Sequence, residues 1–299
     1  YCLNTENGQK IWSYKPSPDT TLIPHNGKFI SPWPCRTGAF VQNGVVYFAT
    51  SLLPWKESYL CAIDSITGSD RGEGLFKIVH EKSTMQGPIL ASSTRLYLSH
   101  GRQRPQVYDL KTGQRIGEIG KSGDGGCFAI LTTDDLFIHG EGQNHAGQGE
   151  LRGFNAKSTD RLATFPQANC MVIQNDFVYF HSNGTLVALN RTKNIQYQSE
   201  KFELESKEER LRKQFKKMDD PKAENQETKE ILHQIETIQN DIKQKQVQIQ
   251  DTFIWKQNVS FYHSIILAGE YLILGGKNLI AAHTISNGEL QWKQEIEGE

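Results

Sequence analysis

YCLNTENGQKIW opens the chain at residues 1–12, and LIAAHTISNGELQW returns to the same phrase at 279–292. Asn4, Gly8 and Trp12 stand four residues apart, as do Thr284, Gly288 and Trp292. DSITG at 64–68 and DLKTG at 109–113 carry the first half of the phrase. Asn155 and Asn190 take the leading position in two more copies, with no glycine four residues later. Two residues before each leader stand Cys2, Ala62, Val107, Gly153, Ala188 and Ala282, all small or nearly so. A pattern kept through six copies is a structural repeat.

Paired apolar runs precede every copy after the first. AFVQNGVVYFAT at 39–50, PILASSTRLYLS at 88–99, FAILTTDDLFIH at 128–139, CMVIQNDFVYFH at 170–181 and SIILAGEYLILG at 264–275 are each split by a short polar or glycine break. Asn43-Gly44 is a type I′ hairpin signal, because both central residues there take positive φ. The unit therefore reads strand, turn, strand, loop, strand, glycine turn, strand; these strands are A to D. Sheets with two apolar faces bury both when packed face to face around an axis, and the interval suits four-stranded propeller blades. A large sandwich is the other all-β solution, but it requires no repeat. The expected fold is an all-β propeller of four-stranded antiparallel blades. Five are complete, at 38–79, 87–119, 127–166, 170–259 and 264–296, and residues 1–14 supply only the C and D strands of another. That half blade suggests a portion of a longer protein.

The phrase seen as Ala62, Asp64, Thr67 and Gly68, or as Ala282, Gly288 and Trp292, resembles the PQQ-type propeller repeat of quinoprotein dehydrogenases and outer-membrane assembly propellers. It is similar also to propeller domains of larger bacterial envelope proteins, especially over PHNGKFISPWPCRTGAFVQNGVVYFAT, 24–50. The resemblance implies a periplasmic or other extracytoplasmic location and a binding or scaffold role. The dehydrogenases of this family use an adjacent Cys-Cys pair, a Trp beneath the quinone and an acidic residue with Asn on Ca²⁺. No two cysteines are adjacent here, so no cofactor is expected. A PQQ- and calcium-dependent or metal-dependent oxidoreductase is the alternative.

One blade is interrupted between GTLVALN at 184–190 and FIWKQNV at 253–259. The insert is rich in Glu, Lys and Gln, which favour helix. Leu204, Leu211, Phe215 and Met218 keep heptad spacing, as do Ile231, Ile235, Ile238, Ile242 and Ile249, with Lys245 in one seam position. Asp219-Asp220-Pro221 separates the two runs. The domains are thus 1–199, propeller; 200–251, an antiparallel helical hairpin; and 252–299, propeller. The second helix should reach roughly 40 Å. The hairpin is either a docking arm for a protein partner or an element packed only on itself; a propeller face is the other candidate surface for a partner.

Net charge is −1 with 22% charged residues, which argues for neither nucleic acid nor an anionic surface as partner. No apolar run approaches the ~20 residues of a membrane span. Five cysteines without a C-x-x-C pair read as small buried residues rather than a zinc site. Nucleotide and protease motifs are absent, and GDGG at 123–126 reads as a D–A turn.

Propeller topology sends B–C and D–A loops to one face. His100, His139 and His181 end three successive B strands, with Arg102, Arg104, Glu141 and His145 just beyond. Trp33, Arg36, Gln86, Asn169 and His263 belong to D–A loops. Two readings stay open. One is a metal or anionic-ligand site at the channel mouth, on His100, Arg102, His139, Glu141 and His181 with Arg36, Asn169 and His263. The other is that these polar groups only bond neighbouring loops and water.

Overall fold

In a computed structural model the described residues are 1–299 without 102, 121–124, 141–148, 218–225, 261–262 and 299. Antiparallel sheets follow one another along the chain. The first is the hairpin β1 (Cys2–Leu3) with β2 (Lys10–Trp12), the expected C and D strands. A second hairpin, β3 (Ile23–His25) with β4 (Lys28–Ile30), was not expected. Its Asn26-Gly27 corner takes φ +46° and +74°, the geometry that the same dipeptide adopts at 43–44.

Four-stranded sheets come next, in sequential order. They are β5 (Phe40–Gln42), β6 (Val45–Thr50), β7 (Ser58–Asp64) and β8 (Phe76–His80); then β9 (Ile89–Ala91), β10 (Arg95–His100), β11 (Gln103–Asp109) and β12 (Arg115–Glu118). The third holds β13 (Phe128–Leu131), β14 (Leu136–Gly140), β15 (Glu150–Asn155) and β16 (Arg161–Pro166). The fourth runs β17 (Ala168–Gln174), β18 (Phe177–Ser182), β19 (Thr185–Asn190), then helices α1 (Arg191–Lys216) and α2 (Gln226–Gln250), before closing with β20 (Phe253–Asn258). The last is β21 (Ser264–Ala268), β22 (Tyr271–Gly276), β23 (Leu279–Thr284) and β24 (Leu290–Glu295).

The chain forms two compact units, Tyr1–Gly149 with Phe154–Asp160, and Glu150–Gly153 with Arg161–Glu299; the division falls within the third four-stranded sheet. In the first unit, strand β7 buries both faces. Tyr59, Cys61 and Ile63 pack with Trp33, against Trp12 and Tyr14. The alternate residues Leu60 and Ala62 join Phe76, Leu96, Leu98 and Tyr108. A period of two with apolar residues at every position is what a sheet covered on both sides requires. In the second unit Tyr179, Leu186 and Ala188 pack against Ile265, Leu272, Leu274 and Ala281.

The repeat's polar signature is a capped turn. Asp64 Oδ1 accepts from the N–H groups of Ile66 and Thr67, Asp109 Oδ1 from Lys111 and Thr112, and Asn155 Oδ1 from Lys157 and Ser158. The residue four on donates back to the leader's carbonyl: Gly8, Gly68, Gly113 and Gly288 do so at 2.8–3.0 Å. Thr159 does the same at 2.8 Å, in a left-handed conformation of φ +66°.

Asn190 has the same role with a different outcome. Its side chain accepts from Lys193 N–H, capping α1, so that the single turn of the other copies runs on as a 26-residue helix. Helix α1 therefore starts at Arg191 rather than at 200. Beneath the insert the frame is unchanged. Asn190 N–H donates to the Thr252 carbonyl at 2.9 Å, the bond that joins Asp64 to Ser69 and Asp109 to Gln114 in the uninterrupted turns.

The two helices run antiparallel, because Lys245 pairs with Glu200 at 2.5 Å while Gln239 bonds Glu208 at 2.8 Å. Ile231, Ile235 and Ile238 are buried in their seam. Leu204, Leu211 and Phe215 are partly covered on the facing helix; Met218 and the 219–221 break lie outside the described residues. Lys245 is accommodated in the seam by Glu200 and by the Tyr197 ring, 5.3 Å from its ammonium.

Candidate functional site

In the first unit, three successive D–A junctions meet two B-strand ends. Gly87 N–H donates to the Arg36 carbonyl at 3.2 Å. Gln86 bridges His100 in parallel, and Gly101 bridges Gly126. The approach is so close that a Cβ on Gly126 would stand 2.0 Å from the Gly140 carbonyl oxygen, and one on Gly101 would strike the Gln86 amide. Both take positive φ. Glycine is required here by backbone packing, not by a phosphate.

The histidines lie beneath this lattice. His100 is 1% exposed, with Nδ1 3.3 Å from Ser83 Oγ and Nε2 3.4 Å from Tyr108 Oη. Tyr108 Oη in turn donates to Gln106 Oε1 at 2.6 Å, and the His80 ring stands edge-on to Tyr108. Burial, with the neighbouring His80 adding to it, pushes His100 down to about 4, so it is neutral at pH 7. His139 is also 1% exposed; its Nε2 is 3.1 Å from the Gly126 carbonyl, and its ring stacks on Phe137. Both imidazoles hold strand ends in place.

In the second unit His181 is fully buried, and its Nε2 accepts from Gly184 N–H at 3.2 Å. Burial lowers its pKa, and His263 adds to that. His263 itself is exposed, anchored by its own N–H to the Gly275 carbonyl at 2.8 Å.

Of the remaining candidates, Arg36 is exposed at the end of the first-unit lattice. Arg104 pairs with Glu118. Trp33 is buried, with its indole N–H on the Glu57 carbonyl at 2.8 Å. Asn169 lies in strand β17. Arg102, Glu141 and His145 lie outside the described residues, as does part of GDGG. Among the described residues no group of three or more His, Cys, Asp and Glu could hold a metal ion. Cys61 and Cys170 are buried as expected of such residues, but Cys35 and Cys127 are exposed. Both belong to D–A junctions, where backbone packing leaves short side chains at the surface.

The repeat's Trp, on the outer D strand, is expected from the sequence to fill the wedge between neighbouring units; what sequence reasoning missed is its seat on the motif glycine of the next turn. Trp12 covers Gly68, where a Cβ would fall 2.7 Å from the ring, and donates its indole N–H to the Ser65 carbonyl at 3.3 Å. Trp255 covers Gly288 in the same way and donates to the Ile285 carbonyl at 2.9 Å. Phe76 covers Gly113. Each covering residue pairs across its hairpin with the small residue two before the leader: Cys2 with Trp12, Ala62 with Phe76, Ala188 with Trp255. Where this position is Gly117, opposite Val107, the next turn carries Thr159 in place of glycine. Where it is Ala163, fully buried, the next turn is the start of α1, and Gln198 clasps the Thr164 backbone by both N–H and carbonyl. A large residue thus meets glycine and a small one meets bulk.

No family model matches this sequence, and no curated protein matches it. Among solved structures, BamB from Moraxella catarrhalis is similar with a TM-score of 0.52 at 11% identity, over 87% of this chain and 61% of that one. The computationally designed Ika8 protein is similar at 0.51 and 9% identity, over 87% and 62%. The chain spans about three-fifths of the length of these structures. The likeness is one of fold, a β-propeller type built of four-stranded antiparallel sheets. Among the described residues no helix is long and apolar enough to cross a membrane.

Proposed function

We propose that this chain is a non-catalytic binding and scaffold propeller of a bacterial cell envelope, with the helical hairpin as its docking arm for a protein partner. The observation that carries this reading is the insertion itself. A hairpin of 26 and 25 helical residues is added at one turn while the closing bond of that turn, Asn190 to Thr252, is kept. Among the described residues of the arm, Glu203, Lys207, Arg210 and Lys213 of α1 face solvent. An extracytoplasmic location is part of the proposal and rests on the fold likeness and the repeat resemblance. Osmotic-shock fractionation of the native host checks it.

For a ligand, the reading assigns contact to Arg36 in the first unit and to His263 in the second, the candidates with exposed side chains. His100, His139 and His181 would position the strand ends beneath them. Arg102, Glu141 and Asn169 remain candidate contacts. No cofactor enters the proposal; a PQQ and Ca²⁺ titration followed by absorption checks that.

The test replaces 191–251 by a four-residue turn, the length found between Asp64 and Ser69. The variant should keep its β-sheet circular dichroism and lose in-cell crosslinks made by the full chain. If every crosslinked partner is retained, the arm is not the docking element.

A further inference from the structure

From Arg210 to Lys217, the end of α1 and its cap carry five basic residues and no acidic one, a block that the chain's total charge of −1 conceals. Two of the five are matched, Arg212 to Glu208 and Lys213 to Glu209, both at 2.7 Å. Among the described residues no ion pair holds Arg210, Lys216 or Lys217, and all three are exposed. The helix dipole accounts for cations in the last turn, where Lys213 and Lys216 stand, but Arg210 lies before it. Leu204, Leu211 and Phe215 mark the side turned to the seam. At about 3.6 residues per turn, Arg210, Lys213 and Lys217 then share the outward side, three and four residues apart over about 10 Å. Among its described residues α1 exposes no large apolar side chain, so this ridge offers charge and nothing to insert into a lipid layer.

We infer that the partner docked by the arm presents an acidic polypeptide segment to this ridge, its carboxylates meeting Arg210, Lys213 and Lys217. The inference rests on the docking reading above and adds the chemistry of the partner. An arginine fork takes a carboxylate through two parallel N–H···O bonds, and the spacing of the three cations matches a helix with Asp or Glu at the same interval. Contacts of this kind guide encounter and set register, and they weaken as salt rises.

Fluorescence anisotropy of labelled poly-L-glutamate with the full chain tests this, beside co-sedimentation with vesicles of equal parts phosphatidylcholine and phosphatidylglycerol. Arg210→Glu with Lys217→Glu reverses the ridge. Lys193→Glu with Lys243→Glu makes the same change of net charge at exposed positions elsewhere on the two helices. Lys207 and Lys213 stand three residues either side of 210, so the helix accommodates a carboxylate there. The wild type should bind poly-L-glutamate and release it as salt is raised. The ridge variant should bind about tenfold more weakly, and the control should stay within about twofold of the wild type. Should the reversal unfold the arm, seen by circular dichroism, Arg210→Gln with Lys217→Gln replaces it, with a loss of about threefold expected. Equal loss in ridge variant and control overturns the inference. So does a wild type that binds the vesicles but not poly-L-glutamate, or binds neither. In cells, the ridge variant should lose the crosslinks that are lost on deletion of the arm. Crosslinks kept by the ridge variant but lost on deletion overturn the inference and leave the docking arm standing. Crosslinks kept by both overturn the docking reading, and the inference with it.

Discussion

Thr159 stands at φ +66° in a turn whose counterparts at 8, 68, 113 and 288 are glycine. A β-branched residue is strained there by about 1–2 kcal/mol, part of which glycine would return as unfolded-chain entropy. Thr159→Gly should therefore raise the urea midpoint, by an equivalent of under about 1 kcal/mol. Gly68→Ala should lower stability by at least about 2 kcal/mol, because positive φ and the Trp12 ring both oppose a Cβ. His100 makes a pH prediction. Its folded pKa is lowered to about 4, so the unfolded chain binds the proton first as pH falls. Its contribution is intact above pH ~6.5 and is lost progressively down to about pH 4, on the order of 3 kcal/mol in all. Urea midpoints for wild type and His100→Gln, compared at pH 7 and pH 4.5, should converge at the lower pH. A gap that stays constant would show that His100 does not titrate in this way. The leading carboxylates act in the same sense at lower pH: the N–H and hydroxyl of Thr67 hold Asp64 below its ordinary value, and Thr112 does so for Asp109, so their contribution too is lost as pH falls through the carboxylate range.

At the scale of elements, α1 depends on one residue at its start. Asn190→Ala removes the cap and should cost about 1 kcal/mol, read as earlier loss of the 222 nm signal on heating. Along the seam, Lys245 interrupts an otherwise isoleucine-rich face, and its pair with Glu200 is partly exposed. Such a pair contributes little, so Lys245→Ile should stabilise the hairpin by about 1 kcal/mol, seen as a higher melting temperature of the helical signal. The heptads of α2 were legible because burial follows them: Ile231, Ile235 and Ile238 are all covered. The true beginning of α1 was not. The segment 191–199 has no apolar stripe, since it packs through Asn194 and Gln198, which bond Thr252 and Thr164. Polar contacts of that kind leave no period in a sequence.

For the molecule as a whole, the strands of the five four-stranded sheets could be read in advance, because their paired apolar runs and their turns repeat along the sequence. The hairpin at 23–30 was overlooked despite its Asn-Gly corner, since it belongs to no repeat. The candidate site was legible in position only. His100, His139 and His181 do end B strands, but their ring nitrogens meet Ser83, Tyr108, the Gly126 carbonyl and the Gly184 N–H, contacts set by tertiary packing. The same limit explains why Gly68 and Gly288 could be read as turn residues but not as seats for Trp12 and Trp255.

The closing bond between Asn190 and Thr252 brings the two ends of the insert together across one hydrogen bond of 2.9 Å. Any module whose own termini adjoin could be transplanted onto such a foundation without the host strands shifting. The condition is room alongside, which Ala163 supplies for the native arm. Grafting the arm between Asp109 and Gln114 should therefore yield soluble, folded protein only when Phe76 is trimmed to alanine in the same gene. Expression of the two grafts side by side would decide it.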